Sequence, residues 1–461
     1  MNKDEKKREL ILNGSILKTI IVICLPLFVF NAFDTVYTII DSIVVASINP
    51  LSVSAVASIS QIQKLLSSIG GGLAGGGGIL IAHAFGAKDD EKATKYVMNL
   101  FLLSVITTAT LYVICIPFAS GIMSLLGVPD ELISIGYNYF IVQILTLGFT
   151  FFNCIFIAIQ KAKGSTNKVL YFNLLSMGVK LALTLFFVYG LHKTDIMYVA
   201  IATMLGQAIV TVIGSFTLFD RNQLLYIDLK HLSYDNDSTA KIIKISFPIF
   251  LGKFVFAFGK VGVNALCKSY GALVVGALGI SDNLTGIVTT PINSFEEGIS
   301  GIISANLGNN NRKRAFKIFI YSLCMALVIS IIGFVLVRFT YKDQLITLFM
   351  SSKEASDLVL FRESIETIFV YASLAIPTLA INACVLGLLY GYGQTKLSMV
   401  LNISRVFLFR IPALYYFKTF HADLGVKAVG ISMGLSNICI AIMSVIFLLI
   451  FLRNDKEKSL E

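Results

Sequence analysis

Residues Ala84-Phe-Gly-Ala-Lys-Asp-Asp-Glu-Lys-Ala93 end a long apolar run in a short polar turn. Ala305-Asn-Leu-Gly-Asn-Asn-Asn-Arg-Lys-Arg-Ala315 does the same at an offset of 222 residues, setting Gly86 on Gly308 and Ala93 on Ala315. The match extends outward without a gap: Ile20 and Ile21 fall on Ile242 and Ile243, Pro26 on Pro248, Phe28 on Phe250, Ala55 on Ala277, Gly76 on Gly298 and Ile81 on Ile303. After a seven-residue insertion in the second half the offset becomes 229, pairing Asn153 with Asn382, Gly164 with Gly393, Thr166 with Thr395, Asn173 with Asn402 and Met204 with Met433. The chain is therefore two copies of one unit.

What the copies are made of follows from composition. The 461 residues are 56% hydrophobic and 14% charged, with a mean hydropathy of +0.81, which does not describe a water-exposed surface. Twelve apolar stretches, 15-47, 53-82, 94-121, 132-161, 168-192, 194-220, 241-267, 272-306, 315-337, 365-391, 397-417 and 428-452, each reach or exceed the ~20 helical residues that cross ~30 Å of hydrocarbon. The expected fold is an all-α polytopic membrane protein with 12 transmembrane helices in two six-helix lobes. The N-terminal lobe takes 15-220 and the C-terminal lobe 241-452, with a linker at 221-240 and tails at 1-14 and 453-461. Six spans return the chain to its starting side, so the copies share one orientation about an axis along the membrane normal, the parallel repeat of many secondary transporters. A cytosolic enzyme, a nucleic-acid binder and a secreted disulfide scaffold are excluded.

The formal charge of +10 is topology rather than a nucleic-acid partner. Of 37 Lys and Arg, 22 lie on the tails, the even-numbered loops and the span ends beside them, eight on the opposite side and seven within spans. The positive-inside rule then predicts both termini in the cytoplasm of a bacterial-type inner membrane. The start MNKDEKKREL is basic like a signal peptide but lacks the short apolar core and small-residue cleavage site, so no removal is expected. The seven cysteines lie in or beside apolar spans without a CxxC pair, and the four histidines are dispersed, so both read as packing residues.

The residues Leu25-Pro26, Tyr37-x-x-x-Asp41, the two polar turns quoted above, Gly164-Ser-Thr166, Gly393-Gln-Thr395 and Arg410-Ile-Pro412 together resemble the multidrug and toxic compound extrusion (MATE) family, within the multidrug, oligosaccharide-lipid and polysaccharide exporter superfamily. The resemblance covers nearly the whole chain. It implies a V-shaped pair of lobes around a central cavity that exports organic compounds against incoming H+ or Na+. It also implies an N-lobe cation site built from an Asp on the first span, an Asn and an Asp four apart on the fifth, and a Thr on the sixth. Those positions carry Asp41, Lys180, Thr184 and Thr203, so the two fifth-span positions depart from the family pattern. No cofactor is implied beyond the coupling ion.

Independently of the family, eleven ionisable groups lie at membrane depth: Asp34, Asp41, Asp282, Glu296, Glu297, Lys64, Lys180, Lys253, Lys260, Arg405 and Arg410. Unpaired, they would cost roughly 30 kcal/mol at ~2.5 to 3.5 each, against a net stability of ~5 to 15, so most must be paired, neutralised or hydrated. Residues seven apart share a helix face, which puts Asp34 with Asp41 and Lys253 with Lys260. The expected ion-coupling set is Asp41, Asp34, Lys180, Thr184 and Thr203. The expected substrate cavity is lined by Lys253, Lys260, Glu296, Glu297, Tyr37 and Arg410, with Pro26 bending the first span. An ammonium at 180 near Asp41 would replace a bound cation; coupling then runs through protonation of Asp41, or through Glu296 or Glu297.

The glycine run Gly70-Gly-Gly-Leu-Ala-Gly-Gly-Gly-Gly78 lacks the Gly-Lys-Ser/Thr ending of a phosphate loop and reads as a close helix contact or a gating bend. The expected function is a MATE-type secondary antiporter, a multidrug efflux protein with a small-molecule substrate, acting as a monomer. The cavity lysines favour an anion or zwitterion. The alternative is a flippase for a lipid-linked anionic glycan. An intramembrane enzyme lacks HExxH or another catalytic constellation and is not expected.

Overall fold

The computed structural model describes residues 3–48, 50–125, 128, 130–191, 195–221, 223–228, 234–348 and 355–457; at 39, 41–48, 50–55, 57, 58, 131, 272, 355–358 and 454–457 it describes the backbone alone. The described elements are helices. In chain order they are α1 (Lys3–Asn13), α2 (Ile16–Ile48), α3 (Pro50–Gly86), α4 (Asp90–Cys115), α5 (Ala119–Leu125), α6 (Asp130–Ala162), α7 (Thr166–Leu185), α8 (Met197–Leu218), α9 (Asn236–Lys268), α10 (Ala272–Gly308), α11 (Arg312–Val335), α12 (Lys342–Leu348), α13 (Ala355–Ser373), α14 (Ile376–Gly391), α15 (Thr395–Ser404), α16 (Ile411–Phe420) and α17 (Val426–Glu457). Among the described residues eleven helical segments are long and apolar enough to cross a membrane, and α13 and α14, bent by 50° at the break between them, pass the same test only as a pair. The bend has a local cause. Pro377 in the first turn of α14 has no N–H for the carbonyl of Ser373, and Arg338 reaches in to donate to the Val370 carbonyl and, at 2.8 Å, to Ser373 Oγ.

The repeat is visible in the backbone. Lys88 (φ 60°) and Asn310 (φ 55°) take left-handed conformations 222 residues apart, and Gly164 (φ 69°) and Gly393 (φ 70°) do so 229 apart. Matching turns therefore end matching helices.

The chain forms two compact units, Met1–Phe254 with Ser304–Arg312, and Val255–Ile303 with Lys313–Glu461, so α9 and α10 each contribute to both. In the first unit the polar turns of the two copies meet. A Cβ on Gly86 would stand 1.9 Å from the Ala305 carbonyl oxygen, and one on Gly308 2.0 Å from that of His83. Ser304 Oγ donates to the Ile79 carbonyl at 2.8 Å. Further along α3, the glycine run does what small residues do in membrane helices: Gly76 lies against the backbone of Ser246, whose nitrogen would be 2.6 Å from an added Cβ.

The expected N-terminal tail carries helix α1, and the described C-terminal end of the expected linker is held by hydrogen bonds. Helix α1 packs into this unit through Lys163 Nζ to Asp4 at 3.2 Å, Lys7 Nζ to Ser165 Oγ at 2.6 Å, an Arg8–Asp90 ion pair, and Asn306 Nδ2 to the Ile11 carbonyl at 3.3 Å. Burial pushes the Lys163 ammonium pKa down, and the Asp4 carboxylate opposes that shift. In the linker, buried Asn99 of α4 accepts from the Asp235 N–H at 2.9 Å and from Thr239 Oγ at 3.0 Å. Asp235 in turn accepts from the Ser238 N–H at 3.0 Å, which caps α9 and starts it before the apolar run begins.

The glycine contacts yield a prediction. Gly308→Ala drives a Cβ into an unyielding backbone carbonyl and should cost ~1 to 3 kcal/mol. Gly71→Ala, which meets nothing within 4 Å, should cost nothing by steric conflict. The thermal midpoints of the two purified variants in one detergent check this; equal midpoints refute it.

Candidate functional sites

The first-unit cluster is built on α2, α7 and α8. Tyr37 on α2 is buried, and Lys180 Nζ of α7 sits 4.7 Å from its ring centroid, a cation–π contact. Asp34 lies three residues before Tyr37, on the same side of the helix, and the cations that act on it are Lys180 and then Lys64. Gly206 lets α8 close on this part of α7: an added Cβ would stand 3.0 Å from the Ser176 carbonyl and 3.2 Å from Lys180 Cβ.

Lys180 and Tyr37 are thus in contact, with Asp34 within electrostatic reach of the ammonium, so Tyr37, expected in the substrate cavity, packs against a residue expected in the ion-coupling set. Thr184 is fully buried and its hydroxyl has no partner among the described residues. Thr203 Oγ donates to the Val199 carbonyl of its own helix at 3.0 Å. Asp41 lies on α2, but its side chain, and with it the expected approach to Lys180 or Thr203, lies outside the described residues.

At Pro26 helix α2 continues as a helix. The Val22 carbonyl, which Pro26 cannot serve, accepts instead from Thr166 Oγ of α7 at 3.2 Å. In the same unit, Asn153 Nδ2 donates to Gln207 Oε1 at 2.8 Å and its Oδ1 accepts from Thr211 Oγ at 3.0 Å, a network across α6 and α8.

The second-unit cluster is cationic. On α9, Lys260 Nζ lies 3.8 Å from Asp282 Oδ2 of α10, with both side chains about half exposed, at 49% and 48%. Glu297 is exposed and Glu296 half-buried, while Lys253, expected beside Lys260 in the cavity, is exposed and falls in the first unit. Arg410 is buried, its Nε donating to Ser436 Oγ at 3.1 Å and its Nη2 to Asn437 Oδ1 at 3.0 Å. Arg405 Nε donates to the same Asn437 oxygen at 2.9 Å.

The two arginines bracket a π-helical turn, Arg405–Arg410, in which the Ile411 N–H reaches back five residues to Val406. In an α-helix residues five apart point ~140° away from each other; a π turn brings them to one side. The Arg405 guanidinium carbon is 5.2 Å, and Lys260 Nζ 5.5 Å, from the centroid of Phe256. Sequence reasoning placed Arg410 in the cavity but missed the role of Arg405 and Asn437, because no residue in the run signals the π turn that aligns them.

The Thr166 contact generates a prediction. Thr166→Val leaves the Val22 carbonyl unserved and should lower stability by ~1 to 3 kcal/mol. In a Pro26→Ala background, where an N–H is restored, the same change should cost measurably less. Additive losses in this double-mutant cycle, read from thermal midpoints, refute the compensation.

The MatE family model matches residues 26–186 and 248–416. The chain is 23% identical over 426 residues, 92% of each chain, to the probable multidrug resistance protein YpnP of Bacillus subtilis. It is 21% identical over 347 residues, 74% of this chain and 75% of the relative, to the probable multidrug resistance protein YoeA of the same organism. The crystal structure of MATE in complex with MaL6 superposes with a TM-score of 0.92 at 20% identity, over 99% of this chain and 100% of that one.

Proposed function

Because the chain belongs to the MatE family, a family of multi-pass membrane transporters, we propose that it is a secondary antiporter exporting an organic, drug-like or amphipathic metabolite substrate by alternating access, with H+ or Na+ moving inward in exchange. It works as a monomer in a bacterial-type inner membrane with both termini in the cytoplasm, a placement supported by the skew of Lys and Arg along the sequence. The observation that carries the coupling half of this reading is Lys180 resting on Tyr37 beside Asp34.

A carboxylate and an ammonium at membrane depth attract each other, and a proton taken by Asp34 or Asp41, or a Na+ entering beside them, weakens that attraction. Release of Lys180 then changes what α2 and α7 contribute to each other. Asp41 and Thr203, on the same two helices that flank α7, are the further candidates for the ion, with Thr184 as the one buried hydroxyl of the set left free to bind. The flippase alternative is not favoured by a family match that spans most of the chain or by relatives named for multidrug resistance.

Uptake into proteoliposomes under separately imposed pH, Na+ and voltage gradients tests the proposal, with ethidium as a cationic probe and phenyl phosphate as an anionic one. Accumulation driven by a pH or Na+ gradient is expected; indifference to every gradient overturns it. A second prediction addresses the departure from the family pattern. Lys180→Asn combined with Thr184→Asp should create or strengthen Na+ or H+ dependence of transport. An unchanged ion dependence in folded, inserted double mutant would show that this cluster does not govern coupling.

A further inference from the structure

Two guanidinium groups in the second unit converge on one neutral oxygen, Asn437 Oδ1, and this arrangement is incomplete by itself. Arg410 is buried and donates to Ser436 through Nε and to Asn437 through Nη2. Arg405 is fixed through Nε alone, is partly exposed, and its two terminal nitrogens donate to no acceptor among the described residues. Like charges in a medium of low dielectric repel, and an amide oxygen shared between two of them offsets little of that repulsion.

The carboxylates that act on Arg405, Asp282 and Glu296, do so through space; neither is hydrogen-bonded to it. Asp282 is engaged with Lys260, itself a third cation within 5.5 Å of the Phe256 ring on which Arg405 also rests. The half-exposed side chains of Lys260 and Asp282 lie within spans, where such exposure is affordable only to water. The π turn matters here, because it spends a regular backbone hydrogen bond to bring both arginines to one side, a distortion that concentrates at functional sites.

We propose that the second unit contains an oxyanion subsite, in which the two free terminal nitrogens of Arg405 clasp a carboxylate or phosphate group of the transported molecule. Lys260 supplies a second positive charge, Phe256 a flat apolar wall, and Arg410 with Asn437 hold Arg405 in place as positioning residues. A planar fork of two N–H donors matches the two oxygens of such a group, which a lone ammonium does not. The inference rests on the transport reading and names the chemistry of one part of its substrate.

Binding is measured on the purified full chain in phosphatidylcholine nanodiscs, by thermal shift and calorimetric titration, with phenyl phosphate against neutral benzyl alcohol. Phenyl phosphate should stabilise and bind; benzyl alcohol should not. Arg405→Gln should weaken phenyl phosphate binding at least tenfold, and Arg405→Lys should keep part of it. Asn437→Asp provides an arm that does not depend on losing a charge: its carboxylate would occupy both guanidiniums, raising the thermal midpoint while abolishing phenyl phosphate binding.

Equal phenyl phosphate affinity in wild type, Arg405→Gln and Asn437→Asp overturns the subsite. So does stabilisation by phosphatidylglycerol nanodiscs with no binding of phenyl phosphate, which would assign the charge to a lipid headgroup. The transport reading fails separately. Arg405-dependent binding without gradient-driven uptake of any probe would sustain the subsite and sink the antiporter, whereas gradient-driven ethidium uptake with Arg405-independent phenyl phosphate binding would do the reverse.

Discussion

Hydrocarbon offers no water to a polar group, and that constraint orders most of what the side chains of this protein do. The hydroxyls on its spans turn inward on their own helices: Thr107, Thr146, Thr150, Thr203 and Thr211 each donate to the carbonyl four residues back. Where the backbone is broken the compensation comes from a neighbour. Thr166 serves the carbonyl orphaned by Pro26, and Arg338 serves the bend between α13 and α14. Four buried span hydroxyls, of Thr184, Ser281, Ser294 and Ser322, have no partner among the described residues.

The same constraint governs close approach. With no hydrophobic drive between helices in lipid, association depends on contact between backbones, which is possible only where side chains are absent. Gly86 and Gly308, equivalent in the two copies, press on Ala305 and His83, and the hydroxyl of Ser304 then reaches the Ile79 carbonyl. The first unit is also fastened by polar contacts at its turns, from Asp4 and Arg8 of α1 and from Asn99 of α4.

How much of this was legible depends on the kind of signal. Span number, repeat offsets and helix ends follow from apolar length and from glycine and proline, which act locally; the positive-φ pairs Lys88 with Asn310 and Gly164 with Gly393 stand where the offsets place them. The grouping of Asp34 with Lys180 follows partly from spacing and partly from family resemblance. Illegible were features fixed by tertiary geometry: the convergence of Arg405 and Arg410 through a π turn, the Thr166 contact with Val22, and the ordered α1 helix, whose charged sequence reads as a tail.

The copies share a backbone and differ in polarity. Carried forward 222 residues, Asp34 falls on Phe256, and carried back 229, Arg405 falls on Ser176 and Asn437 on Ala208. An acid in the first copy is thus an aromatic ring in the second, and the ring is where Lys260 and Arg405 rest. Each set of charges finds its partners inside its own unit: Lys180 with Tyr37 and Asp34 in one, Arg405 and Arg410 with Asn437 in the other. Duplication supplied two equivalent scaffolds, and burial of charge at membrane depth is costly enough that a cation could be gained in one only together with its acceptors. Asn437 and Ser436 are those acceptors for the second copy. Both are neutral, so the two guanidiniums carry no hydrogen-bonded carboxylate, whereas an acid at either position would offset their charge directly.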